Sequence, residues 1–329
     1  MKLYTDKSGK FQMLIPIQWE YKNTSFFKDK NSPNAFGQYD GMIGAFQLSC
    51  KPVTEHIANL IKTKNLPTQS SDSILKFSED KFEDKTICSY MWSCAVDDHF
   101  IFITYILDPK ISKRKPAIKE LEDVSKTIAN IKFIKPQYRD IVLTQRRYSL
   151  FMSSMAAAID LRNKAIENRS FIEFVVLTAN RIDGMLRLAI ILANQLEGNH
   201  SEIDPSIIFQ DDQDKPIMER KIYQIVLDRN IIDQNTFGKL ELLYKERNKV
   251  IHRYIITDIR TADVVRIAQE YQTVEETVDK IVNGLEMQQY KSKVGINNGE
   301  AAPGERLVGD ELQALQTRIR DKHGGVKWE

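Results

Sequence analysis

The stretch LELLYKERNKVIHRYIIT, residues 240–257, has the spacing of an amphipathic helix, in which residues three, four and seven apart share a face. One face is apolar apart from an arginine and a tyrosine: Leu240, Leu243, Arg247, Val250, Ile251 and Tyr254. Asn248 and His252, four residues apart, lie on the adjacent face. Strongly polar groups are costly to bury without partners. The stretch therefore predicts a core helix whose polar groups have partners or a function.

The positions of Arg247 and His252 set a geometric constraint. The two residues are five apart, so on a regular helix their side chains point about 140° apart. One regular helix cannot bring both to the same group of a ligand. Either the helix bends near Val250, or the complementary group comes from a second copy of the chain across a two-fold axis.

Residues 136–290 around this stretch are predicted to be helical. Segments 137–168 and 170–198 each run for several turns and contain almost no Gly or Pro. Pro216 is placed to begin the next helix, and Asp233 is placed to cap the helix that carries the quoted stretch. With the long helical pattern that follows, these elements predict a bundle of four or five helices.

The chain after the bundle has a different composition. Residues 291–329 begin as a linker rich in Gly, Asn, Ala and Pro and contain one short amphipathic helical pattern. We expect this segment to be a flexible tail with a short helix.

Residues 1–135 have the pattern of a separate α+β domain. Several segments are rich in aromatic and β-branched residues and are typical of strands. Asp97 and Asp98 separate two of these segments and predict a hairpin turn. Pro116 suits the first turn of a helix. We therefore predict an α+β chain with a sheet in its first part and a helical bundle in its second.

The composition excludes some classes of protein. The 329 residues are 42% hydrophobic and 28% charged, with a net charge of +2, which does not suit a uniformly basic nucleic-acid-coating protein. No segment approaches the length of a membrane span, and no secretory signal is visible, so a cytoplasmic location is expected. The three cysteines and the scattered histidines lack metal-ligand spacing. Neither a metal nor a cofactor is expected.

The motif formed by Arg247, Asn248 and His252 resembles the signature of the HEPN superfamily of helical domains, which is Arg, four to six residues, then His. Tyr254 extends the match to the Arg-x4-His-x-Tyr form of the HepT toxins. The resemblance covers roughly 138–290. It implies metal-independent RNA cleavage at a cleft between two protomers, with tRNA or mRNA as substrate and a cellular role as a toxin or in phage defence.

The resemblance assigns a role to each motif residue. His252 would transfer a proton from a ribose 2′-hydroxyl or to the leaving 5′-oxygen, because an imidazole titrates near neutral pH. Arg247 would stabilise the growing charge of the phosphate. Asn248 would orient the imidazole or donate to the phosphate. The product would be a 2′,3′-cyclic phosphate. In HepT toxins the residue that matches Tyr254 is adenylylated by a partner nucleotidyltransferase.

Two alternatives remain open at this stage. Some HEPN-like domains are scaffolds that dimerise or bind without detectable cleavage, and an Arg and a His in a helix are often a surface or interface pair. Tyr254 is equally consistent with an ordinary core or interface residue.

The first domain resembles the PsbP-like α/β/α sandwich domains, which have an antiparallel sheet. The similarity depends on Phe11, Pro16 and Trp19 at the first strand and on the order of the elements over 1–135. Such domains mostly serve as binding modules. The resemblance therefore implies a sensing or docking module, with an inhibitor or trigger protein as its partner.

Overall fold

The protein divides into two compact units. The computed structural model describes residues 1–23, 32–39, 41, 43–198, 200–210, 215–299, 302–303 and 309–324. The first unit contains Met1–Leu143 and the second contains Thr144–His323. The predicted division into a sheet-containing first part and a helical second part is confirmed. Among the described residues, no helix is long and apolar enough to cross a membrane.

Within its described residues, the first unit contains ten strands that form two sheets, two complete helices and the start of a third helix. In chain order the strands and the complete helices are β1 (Lys2–Thr5), β2 (Phe11–Ile15), β3 (Trp19–Tyr21), β4 (Asn34–Gln38), β5 (Gly44–Pro52), α1 (Glu55–Lys64), β6 (Thr68–Gln69), β7 (Ser78–Glu83), β8 (Cys88–Val96), β9 (His99–Leu107), α2 (Lys115–Ala129) and β10 (Lys132–Phe133). The small sheet has the order β1-β2-β10. The large sheet has the order β3-β4-β5-β9-β8-β6, and β7 also pairs with β8. The described pairings are antiparallel except for β6 with β8.

The hairpin of β8 and β9 forms the centre of the large sheet. Its turn lies at the predicted position, and Asp97 adopts a left-handed conformation with a φ of 48°, which Asp tolerates better than most residues. Alternate residues of β9 point into the core, and Ile101, Ile103 and Tyr105 are fully buried. The apolar alternation of this segment therefore decides which face of the sheet is covered.

Helix α2 covers that face. It has Pro116 in its first turn, as predicted, and it packs against β2 and β5 through Ala117 and Val124. Its Glu120 is buried and accepts bonds from the Gln38 side chain at 2.6 Å and the Gly44 backbone N–H at 3.2 Å. Burial raises the pKa of Glu120, and these bonds oppose the increase.

Helix α1 is positioned differently from α2. The Thr54 hydroxyl caps its first turn, yet the helix contributes no buried residue. Among the described helices of this unit, α2 alone thus supplies a packed layer. The three-layer sandwich with helices on both faces stays a prediction.

The second unit is a helical bundle. It comprises most of α3 (Pro136–Glu167), then α4 (Phe171–Gly198), α5 (Pro205–Ile208), α6 (Glu219–Asp228), α7 (Gln234–Arg253), a 3₁₀ turn (Tyr254–Ile256), α8 (Thr261–Ser292) and α9 (Gly309–Lys322). Helix α4 is apolar around most of its circumference and packs against α6, α7 and α8. It is the central helix of the bundle. The boundary between the two units lies within α3 rather than at its start.

Two helix starts were predicted in this unit, and one is wrong. Asp233 caps α7 by accepting a bond from the Thr236 N–H at 2.7 Å, as predicted. Helix α6 begins at Glu219 and not at Pro216. The Arg187 guanidinium donates to the Ile217 carbonyl at 2.8 Å, which favours an extended conformation before the helix. A contact with a residue this distant in sequence outweighs the local preference of Pro216.

The C-terminal segment contains the predicted short helix, α9. Just beyond its end, His323 Nε2 lies 3.2 Å from the Asp160 carboxylate on α3, so this part of the segment contacts the bundle. Residues 300–301, 304–308 and 325–329, which belong to the expected flexible tail, lie outside the described residues.

Gly44 provides a test of the packing in the first unit. A Cβ atom at this position would overlap the ring of Tyr105, which is itself fully buried. We expect Gly44→Ala to lower the free energy of unfolding of this unit by about 1–3 kcal/mol, because the overpacked core must shift. Ala45→Ser is the control, since its half-buried side chain lies on the opposite face of the strand. Urea unfolding followed by tryptophan fluorescence measures both, and equal stability of the two variants would contradict the packing described here.

Candidate functional site

Arg247 lies on the buried face of α7 and forms an ion pair with α6. Its neighbours along this face, Leu243 and Val250, are buried, and its own side chain is only 12% exposed. Nη1 contacts both carboxylate oxygens of Glu219, at 2.9 and 2.7 Å. Burial disfavours the charged guanidinium, but Glu219 outweighs this effect and raises the pKa of Arg247. Arg247 is therefore a fixed cation whose charge is compensated within the chain.

Glu219 is the centre of a partly buried polar cluster. It also accepts a bond from the hydroxyl of Tyr223, one turn further along α6. Burial, followed by the charge of Glu219, raises the pKa of Tyr223 well above its ordinary value. On α4, Asp183 binds Arg187 at 2.7 Å, and burial raises the pKa of Asp183 while Arg187 opposes the increase. The side chains of three helices thus meet beside Arg247.

Several buried polar atoms of this cluster have no hydrogen-bond partner among the described residues. They are Arg247 Nε, Asp183 Oδ1, Glu246 Oε2 and the hydroxyl of Tyr271. Each such group costs free energy when buried, and most buried polar groups in proteins are paired. The polar cluster around Arg247 is therefore held at a cost in stability.

Asn248 contacts Arg247 and not His252. Its side-chain oxygen accepts a bond from Arg247 Nη2 at 3.3 Å. Of the two functions expected for Asn248, orientation of the imidazole is therefore not seen in this arrangement. Together, Glu219 and Asn248 hold the guanidinium from two sides.

His252 is exposed on another side of the same helix. Among the described residues, its imidazole makes no hydrogen bond or ion pair. The helix runs without a break through Val250 to Arg253, so the spacing of about 100° per residue holds between the two motif residues. A single chain therefore does not bring Arg247 and His252 together, which agrees with the angle of about 140° expected for a regular helix.

Tyr254 lies just beyond α7, in the 3₁₀ turn. It is half-buried, and its hydroxyl is 3.0 Å from Thr261 Oγ1 at the start of α8. The hydroxyl is thus bonded to α8, away from the carboxylate that Arg247 contacts. Ile251, which was predicted on the buried face, is 41% exposed because it lies at the edge of that face.

Exposed apolar side chains lie close to His252 in the sequence, at the end of α7 and in the 3₁₀ turn. Ile255 is 95% exposed and Ile256 is 77% exposed, and Ile251 adds to them. Adjacent exposed isoleucines are unusual on a monomeric protein and are typical of an interface. In the described part of the chain, no group of His, Cys, Asp and Glu side chains is arranged to hold a metal ion.

The site contains three residues that were not predicted from the sequence: Glu219, Tyr223 and Asp183. Two signals pointed to them. Glu219 and Tyr223 are four apart on one face of a short amphipathic helix, and Asp183 and Arg187 are four apart in an otherwise apolar helix. Charged residues inside an apolar pattern predict partners, although they do not identify them.

Comparison with known proteins provides little further information. No family model matches the chain, and no curated protein matches it. One similar solved structure is a crystal structure from Bacteroides thetaiotaomicron VPI-5482, with 15% sequence identity and a TM-score of 0.30. The match covers 60% of this chain and 80% of the other. A similarity this low indicates neither a shared fold nor a shared function.

The ion pair of Arg247 predicts a clear difference between the two motif residues. Arg247→Ala leaves Glu219 partly buried without its cation, so we expect the free energy of unfolding to fall by about 3 kcal/mol. His252→Ala removes an exposed side chain and should change it by less than about 0.5 kcal/mol. The measurement is chemical unfolding of the bundle followed by circular dichroism. A double-mutant cycle with Glu219→Ala should show a strong coupling, and additive effects would show that the ion pair does not form.

Proposed function

We propose that the protein is a metal-independent endoribonuclease of the HEPN type. The observation that supports the proposal is the exposed imidazole of His252 at the end of a bundle helix, five residues beyond a fixed arginine. The protein would act in the cytoplasm as a toxin or defence effector. RNA is its proposed substrate.

The proposed reaction needs only groups of the chain and the substrate. The ribose 2′-oxygen attacks the adjacent phosphorus, a bond forms between them, and the bond from phosphorus to the 5′-oxygen breaks. His252 takes the proton of the 2′-hydroxyl or gives a proton to the departing 5′-oxygen, and its counterpart in a second chain does the other. The products are a 2′,3′-cyclic phosphate and a 5′-hydroxyl.

Arg247 would act through the donors that its ion pair leaves available. Nη1 is used by Glu219, and Nη2 has one hydrogen on Asn248 and a second that is free to donate. A guanidinium held on two sides keeps its orientation while charge develops on the phosphate, which is the condition for electrostatic stabilisation of a transition state. Asn248 would support this orientation, and its own amide N–H groups would donate to the substrate.

A homodimer is part of the proposal. Because Arg247 and His252 point to different sides of one helix, a complete site requires groups from two chains. The exposed apolar residues beside His252, namely Ile251, Ile255 and Ile256, support a contact between copies at this position. Tyr254, at the edge of the same region, would be an acceptor for adenylylation by a partner enzyme.

The first unit would serve as a sensing or docking module with a PsbP-like sandwich fold. Its sheet and α2 form a core separate from that of the bundle. A trigger or inhibitor protein would bind this module, and this assignment depends on the sequence resemblance.

A second candidate function is a dimerisation or binding scaffold without catalysis. The compensated charge of Arg247 favours it, since an arginine already bound to Glu219 interacts less strongly with a phosphate. An assay of RNA cleavage separates the two functions.

The catalytic proposal predicts that His252→Ala lowers RNA cleavage by a factor on the order of 10² or more, because proton transfer is lost. Arg247→Lys, which keeps the charge but not the planar donor group, should lower it strongly as well. The assay uses purified full-length protein, a panel of RNAs that includes tRNA, and EDTA throughout, with the product ends analysed for cyclic phosphate. DNA should not be cleaved, since it lacks the 2′-hydroxyl.

Two results would contradict the catalytic proposal. Cleavage that persists undiminished in the His252→Ala protein would show that another group or a contaminant is responsible. Failure to cleave any RNA of the panel, together with an intact dimer, would favour the scaffold.

The dimer predicts a specific sensitivity to charge at the end of α7. Ile255→Glu with Ile256→Glu should convert the dimer to a monomer at micromolar concentration, because two carboxylates would be buried in an apolar contact. Ile74→Glu is the control, since Ile74 is also highly exposed but belongs to the first unit. Analytical ultracentrifugation measures both, and a wild-type monomer would show that the site is not shared between two chains.

A further inference from the structure

One exposed face of α7 is basic. Lys245, Lys249 and Arg253 are spaced four residues apart and are all exposed, and His252 lies among them. On a helix with about 100° per residue, the four side chains occupy an arc of about 100°. We call these four residues the basic stripe. Arg247 lies outside the arc, on the buried side.

The cations of the basic stripe are not compensated by the protein. Among the described residues, Lys245, Lys249 and Arg253 form no ion pair and no side-chain hydrogen bond. Two neighbouring arginines do form ion pairs: Arg220 binds Glu241, and Arg266 binds Glu246 and Glu270. The stripe therefore presents positive charge to solvent next to two arginines whose charges are paired.

Two acidic residues of α7 flank the stripe, and each accepts a bond from an arginine outside it: Glu246 from Arg266 at 3.4 Å and Glu241 from Arg220. Glu241 lies on the same side of α7, one turn before Lys245. Arg220 donates to its two carboxylate oxygens at 2.7 and 2.6 Å. Lys245 forms no hydrogen bond with Glu241, and its positive charge only helps to lower the pKa of this carboxyl group. Adding Glu241 and Arg220 to the stripe leaves its excess of positive charge unchanged.

We propose that the basic stripe binds the sugar–phosphate backbone of a single-stranded RNA and leads it across His252. This inference rests on the proposed function and names a binding surface for its substrate. Successive cations of the stripe are separated by about 6 Å along the helix axis, so each is positioned for a different phosphate of an extended strand. Exposed lysines contact phosphates as point charges, which gives binding with little dependence on base sequence.

RNA fits the stripe better than an anionic membrane does. A membrane attracts basic helices that also present a broad apolar face. Within the arc of the stripe, the large exposed apolar side chain among the described residues is Leu242 alone, and the exposed Ile251, Ile255 and Ile256 near its end would be covered in the proposed dimer. The stripe also contains the imidazole that the proposed reaction needs, so a strand bound along it passes directly over His252.

The test measures binding without cleavage. All proteins carry His252→Ala, and the probe is a fluorescent 20-nucleotide oligouridine titrated over a range of salt concentrations. For single strands the slope of log affinity against log salt is about −0.7 for each phosphate contact, so Lys245→Gln with Lys249→Gln should reduce its magnitude by about 1.4. The affinity near physiological salt should fall roughly tenfold.

A matched control separates a local effect from the loss of net charge. Lys280→Gln with Lys291→Gln removes the same charge from exposed positions of α8 and should leave both the slope and the affinity unchanged. An equal effect of the two pairs, or no effect of the stripe pair, would overturn the proposal. A second result would also overturn it: the stripe pair of substitutions lowers binding to vesicles with 30% phosphatidylserine but leaves RNA binding unchanged.

The outcome is distinguishable from a failure of the proposed function. If the His252→Ala protein binds oligouridine through the stripe but the wild-type protein cleaves no RNA, the binding surface stands and catalysis fails. If the wild-type protein cleaves RNA while the stripe variants bind oligouridine normally, catalysis stands and this inference fails.

Discussion

The ion pair between Arg247 and Glu219 is the interaction on which the arrangement of the motif depends. It joins α7 to α6, and it fixes the side of α7 that faces the core. Because Glu219 lies in the first turn of α6, the position of the start of that helix determines where the carboxylate meets the guanidinium. The rest of the motif follows from this contact, since the helix geometry then places His252 towards solvent.

Such a pair is a costly way to hold two helices together. A partly buried ion pair loses much of its attraction to desolvation, and apolar residues of similar size often give equal or greater stability. The cluster around Arg247 also leaves several polar atoms without partners among the described residues. These groups therefore hold α6 and α7 together at a cost in stability.

The sequence predicted the elements that depend on local patterns. The hairpin at Asp97, the cap at Asp233 and the division into a sheet and a bundle all follow from spacing and turn residues that act over a few positions. The start of α6 was misplaced because Arg187, distant in sequence, holds the preceding carbonyl.

The partners within the site could not be predicted in the same way. Glu219 and Arg247 are separated by 28 residues, and no local pattern in one sequence identifies which carboxylate an arginine will meet. The exposure of His252 was predictable from the helical angle, since Arg247 could be placed in the core by its apolar neighbours. The contact of Tyr254 with Thr261 was not predictable. The chain changes from an α-helix to a 3₁₀ turn at Tyr254, and this change breaks the helical periodicity that placed Tyr254 on the face of Arg247.

The unbroken course of α7 has a consequence for how this sequence can change over time. Two residues inserted between Arg247 and His252 would bring the histidine to within about 20° of the arginine and turn it towards the core. One deleted residue would rotate it by about 100° in the opposite sense to an insertion. Substitutions in the intervening segment leave the angle intact, whereas any change of its length redirects the imidazole. In this chain, the number of residues between Arg247 and His252 therefore decides on which side of α7 the imidazole lies.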